Sequence, residues 1–89
     1  MSTYTKDPHA VLDYRWDWSD WLAASETITT ATVTVPTGIT KDSSTNTTTT
    51  ATVWLSGGTA GVRYPVLCRI VTNQGRTDDR TIHIDVRER

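Results

Sequence analysis

Apolar residues fall on every second position from 62 to 70, as Val62, Tyr64, Val66, Cys68 and Ile70. A period of two is the side-chain repeat of a β-strand and does not build a helical face. The same repeat recurs along the chain. Leu12, Tyr14, Trp16 and Trp18 alternate with Asp13, Arg15 and Asp17. Ala51, Val53 and Leu55 alternate with Thr50, Thr52 and Trp54, and Ile82, Ile84 and Val86 leave Arg80, Thr81, His83 and Asp85 outside the core set. Turn signals separate the runs: Pro36-Thr37-Gly38, the loop holding Gly57, Gly58 and Gly61, and Asn73-Gln74-Gly75. No stretch shows a convincing amphipathic helical pattern.

The weaker segments complete the map. Residues 26–35 are rich in β-branched side chains, but Ile28 sits at an even position and Val33 and Val35 at odd ones. A bulge or break near 29–31 would reconcile the two phases. Residues 39–42 read as a short edge strand, and 43–50 as a turn at 44–46 running into the next strand. Residues 19–24 break the alternation, and Ser19 or Asp20 could cap one helical turn carrying Trp21 and Leu22. Residues 1–10 are expected to form an extended N-terminal arm, and 11–89 one domain. Six or seven strands at this spacing predict an all-β fold, a single small antiparallel β-sandwich. Its last hairpin, from Tyr64 to Val86, resembles those of immunoglobulin-like or fibronectin-like modules. The Cys-Trp-Cys pattern of antibody domains is absent, because Cys68 is the sole cysteine.

Composition bounds the function. With 89 residues the chain buries only about 60–65% of its unfolded surface. Hydrophobic residues make up 36%, which suits a thin sandwich or one completed by partners. A net charge of −1 with interspersed signs offers nothing to attract nucleic acid or an anionic membrane. The absence of a signal-like apolar run and of a bilayer-length stretch, with one cysteine, leads to the expectation of synthesis in a reducing cytoplasm.

No residue pattern spells a reaction. His9 and His83 are far apart, and neither has a nucleophile and an orienting group at a suggestive spacing. Cys68 alternates in phase with Val66 and Ile70, as a small buried hydrophobe would. Asp78-Asp79 after a turn, with Asp42 and Asp7, is too sparse for calcium. The Gly57, Gly58, Gly61 loop lacks the Lys-Ser/Thr ending of a phosphate loop. No catalytic, cofactor or metal residues are expected.

The tryptophans carry the remaining information. Three of the four (Trp16, Trp18 and Trp21) lie within six positions. Alternation assigns Leu12, Tyr14, Trp16 and Trp18 to the core, with Val53, Leu55, Tyr64, Val66, Cys68, Ile70, Ile82, Ile84 and Val86. Trp21 and Leu22, past the break, and Trp54, out of phase with its strand, are candidates for protein–protein contact.

The segments Trp18-Ser19-Asp20-Trp21-Leu22 and Trp54-Leu55-Ser56-Gly57-Gly58-Thr59, with Lys6-Asp7-Pro8, Glu26-Thr27-Ile28 and Gly75-Arg76-Thr77-Asp78-Asp79-Arg80, resemble a group of small tailed-bacteriophage proteins. These are fibre–tail adaptors or adaptor-like virion proteins. The resemblance spans nearly the whole chain outside the Thr-rich stretch 40–52. It implies a non-enzymatic structural part of the virion, in the tail or neck, made in the host bacterium's cytoplasm. Its partners would be tail, portal or fibre proteins and copies of itself in a ring, without nucleic acid or membrane. A decoration module stacking exposed tryptophans on carbohydrate is the alternative reading.

Overall fold

The computed structural model describes residues 2–88; Met1 and Arg89, the ends of the expected arm and domain, lie outside the described residues. The strands are β1 (Ser2–Lys6), β2 (Leu12–Asp17), β3 (Ile28–Thr34), β4 (Ile39–Asn46), β5 (Thr50–Gly57), β6 (Arg63–Thr72) and β7 (Thr77–Val86). They form two sheets, ordered β1-β7-β6-β3 and β2-β5-β4. β1 lies parallel to β7, and the other pairs are antiparallel. The fold is a small β-sandwich, as the period-two runs require once each sheet must bury one face.

The core lies between the sheets. Tyr14, Trp16, Trp18, Val53 and Leu55 meet Tyr64, Val66, Cys68, Ile70, Ile82, Ile84 and Val86, all buried, with Ile28, Val33, Ile39 and Ala51. Trp18 is fully buried although β2 ends one residue earlier. Its Nε1–H donates to Asp78 Oδ2 at 2.9 Å, and the Arg80 guanidinium lies 4.9 Å above its ring. Leu12 departs from the expected core. It shares the phase of Tyr14, but it opens β2 at the sheet's end and remains 38% exposed.

Four further expectations are corrected. Within 1–10, residues Ser2–Lys6 are extended but belong to the sheet, with Tyr4 opposite Ile84 and Lys6 opposite Val86. The strand expected at 39–42 continues to Asn46, and the turn falls at 47–49 rather than 44–46. There, pairing with β5 outweighs the turn preference of Ser44 and Asn46. Residues 19–24 hold one isolated turn, in which Trp21 and Leu22 N–H both donate to Trp18 O, but its capping side chain is Asp17, which accepts from Ser19 N–H, and not Ser19 or Asp20. Asp78 and Asp79 lie inside β7. The bulge expected near 29–31 is present as a register shift between Ile28 and Thr30.

Two polar features lock the end where β1 and β5 finish. Lys6 is fully buried, and its Nζ donates to Asp7 O at 2.8 Å and Gly57 O at 2.7 Å, tying one sheet to the other. Burial lowers the Lys6 pKa, against the opposing pull of Asp7 and Asp42. Tyr64, near the start of β6, accepts a hydrogen bond from Thr59 N–H at 2.9 Å. Gly58, at φ +98°, passes so close that a Cβ there would sit 2.7 Å from Val86 Cγ2.

A candidate contact surface

A strand with polar residues on both sides of one tryptophan sets that side chain in water. Trp54 stands on the outer face of the β2-β5-β4 sheet because its neighbours Val53 and Leu55 take the core. In register it faces Asp13 on β2 and Ser43 on β4. Thr52, opposite Arg15 and Thr45, and Ser56, which donates to Asp42 Oδ1 at 3.1 Å, complete a polar surround. Trp54 is 42% exposed.

Other exposed apolar side chains gather in the same half of the sandwich. Val11 precedes β2, and Leu12 opens it, paired with Leu55. Val62 precedes β6 and accepts from Val86 N–H, at the finish of β7. Val11 belongs to no apolar repeat, and Val62 is exposed although it shares the phase of the run from 62 to 70. Both sit one residue outside a strand, where alternation no longer says which way a side chain turns.

The opposite end is built differently. Trp21 and Leu22 are partly buried and packed against the core. The Arg76 guanidinium covers the Trp21 ring at 4.0 Å and also binds Trp21 O. Arg76 is held in turn by Glu26, whose side chain is fully buried. Glu26 further accepts from Thr72 Oγ1 at 2.6 Å and Ala23 N–H at 2.9 Å. Hydrogen bonds from Arg76, then from Thr72 and Ala23, hold its pKa at about 2. Of the three candidate contact residues, the fold therefore sets Trp54 outward, gives Trp21 and Leu22 a partly structural place, and keeps the two groups apart. It also brings no pair of tryptophans together on the surface, since Trp16 and Trp18 are buried.

Asp78, Asp79 and Cys68 are engaged in the fold. Successive positions on β7 send Asp78 to Trp18 Nε1 and Asp79 outward to a two-pronged pair with Arg69, at 2.8 and 2.9 Å. The two carboxylates diverge. Cys68 is fully buried, and burial, with a smaller effect of Asp79, pushes its thiol up to about 11.

None of the curated proteins matches the chain. The model of the family described as "Podophage GP4 fiber-tail adaptor protein gp77" does match it, over residues 6–85. That span runs from the buried amine of Lys6 to Asp85 near the end of β7, and this chain belongs to that family of phage fibre–tail adaptors.

Proposed function

We propose that this protein is a non-enzymatic link in the phage tail, holding a fibre component to a tail or neck component by protein–protein contacts. The observation that carries the reading is the gathering of Trp54, Val11, Leu12 and Val62 in one half of a sandwich 43 Å long. An exposed tryptophan ringed by small polar residues has the composition of an interface anchor. The far end, with the part-exposed Trp21 and Leu22, serves as a second contact, so that one rigid body touches two partners. Several copies arranged around the tail would add modest contacts through multivalency. The strand order supports an immunoglobulin-like assignment: β2-β5-β4 matches a B-E-D sheet, and β3-β6-β7 matches C-F-G. The Tyr64 hydroxyl bonded to backbone five residues upstream resembles the tyrosine corner of such domains.

The test is co-sedimentation of the purified protein with tails and, separately, with fibres from its virion. Trp54→Ala is expected to weaken one of the two associations by roughly thirtyfold, the cost of truncating a hot-spot residue, with an unchanged fold by circular dichroism. Undiminished binding of the variant to both components would refute the placement. Binding of wild type to neither would refute the adaptor reading itself.

A further inference from the structure

The β1-β7-β6-β3 sheet carries an incomplete edge. β1 covers β7 only from Ile82 onward, because Ser2 pairs with Ile82. Among the described residues no strand lies on that side of positions 77–80 of β7. The backbone there faces outward in a defined way. Val86 turns its N–H to Val62 O and its C=O to Gly61 N–H, whereas Arg87 N–H turns to Lys6 O. The β6–β7 register is unbroken from Asp85 to Thr77. Alternation therefore points the N–H and C=O of Thr77 and Asp79 to the open side.

A groove of about 640 Å³ lies along this gap, lined among others by Tyr4, Arg15, Trp16, Arg80 and Ile82. Its other wall is the edge strand β2. Trp18 N–H donates to Thr49 O, so the odd residues of β2 turn their backbone away from β5, and Asp17 O indeed accepts from Arg80 Nη1 at 2.9 Å. Trp16 lines the groove and is buried, and its Nε1–H meets no acceptor among the described residues. Such a donor is costly to leave unpaired. On the opposite flank the corresponding opening is closed: Lys41, beside a bulge on the β4 edge, donates to Val33 O of β3 at 3.0 Å. Arg80 spans the first flank only at Asp17 O, and the outward main-chain groups of Thr77 and Asp79 beside it have no strand to pair with among the described residues.

We infer that this groove receives an extended segment of the fibre or tail partner, which continues the line of β1 and pairs with β7 at Thr77 and Asp79. Strand addition takes its affinity from main-chain hydrogen bonds, and the groove supplies them. A carbonyl of the incoming strand provides the acceptor that Trp16 lacks. The inference rests on the adaptor reading but uses a flank distinct from the Trp54 face.

Proline at position 79 removes the outward N–H without breaking an internal ladder bond, and prolines are accommodated on such edges. In co-sedimentation with purified tails or fibres, Asp79→Pro is expected to weaken binding to one component about tenfold or more. Asp79→Ala, which keeps the amide, should bind as wild type. Amide exchange on the wild-type protein provides a test independent of variant folding: Thr77 and Asp79 should exchange rapidly when free and become protected in the complex. Full binding by Asp79→Pro, equal loss in both variants, or unprotected amides in the complex would each overturn the inference. So would a dimer of the free protein that Asp79→Pro dissociates, which would put a second copy in the groove. Loss in Trp54→Ala with retention in Asp79→Pro would remove the groove alone and leave the adaptor reading intact.

Discussion

Replacing Trp18 by Phe tests whether the end of β2 is held by a specific contact or by apolar bulk. The ring is fully buried, and its Nε1–H donates to the Asp78 carboxylate at 2.9 Å. Losing a hydrogen bond to a charged acceptor costs about 1.5–3 kcal/mol. The smaller ring leaves a void of a few tens of Å³, and at about 24 cal/mol per Å³ this adds about 1 kcal/mol. The expected destabilisation is therefore about 2.5–4 kcal/mol. A domain of this size has roughly 4–13 kcal/mol in total, so the variant should still fold. At about 4–8 °C per kcal/mol its Tm should fall by some 10–30 °C. Urea unfolding followed by circular dichroism measures the change, and a cycle with Asp78→Ala isolates the bond. A coupling of about 1 kcal/mol or more is expected, well above the roughly 0.3–0.5 kcal/mol scatter of independent sites. A loss below 1 kcal/mol with no coupling would show that the indole acts as filler and that the Asp78 contact contributes nothing.

Three further outcomes follow from the packing. Glu26 titrates at about 2 in the folded protein, below its ordinary 4.5. The unfolded chain thus takes up this proton first, so the stabilisation is complete above pH 4.5 and disappears as pH falls towards 2. In thermal melts the difference between wild type and Glu26→Gln should shrink across that window; a constant difference would contradict it. Gly58→Ala forces a Cβ against Val86 at positive φ, whereas Gly61, at φ +88°, has open space around it. Both substitutions carry backbone strain of about 1–3 kcal/mol, and the clash with Val86 should make Gly58→Ala clearly more costly than Gly61→Ala, as judged by urea midpoints. Tyr64→Phe removes the acceptor of Thr59 N–H and should cost about 0.5–1.5 kcal/mol, with faster exchange of that one amide.

Alternation along Leu12 to Trp18 was enough to bury Tyr14, Trp16 and Trp18, because a period-two apolar run has one stable place beside a second sheet. It failed at Leu12, where the phase is right but no neighbouring strand extends far enough to cover the side chain. It also failed at 44–46. There Ser44 and Asn46 favour a turn, and the backbone of β5 imposes a strand. Trp54 was legible as an outward residue from its phase alone. The partial burial of Trp21 was not, since Arg76 reaches it from a turn fifty-five positions away.

The residue order by itself determined the class of fold, the identity of most core positions and the poverty of chemistry, because these depend on local periodicity and residue type. The tertiary structure decided how the strand ends align. β1 has no apolar repeat to announce it and is placed only by its parallel pairing with β7, about eighty positions away. Where β1 stops along β7 depends on that register. Among the described residues, β7 has no strand beside positions 77–80 on one flank of the sandwich, while Lys41 bridges the other. Pairing between segments so distant in the chain is set by the packed sheets as a whole, and neither local pattern nor propensity encodes it.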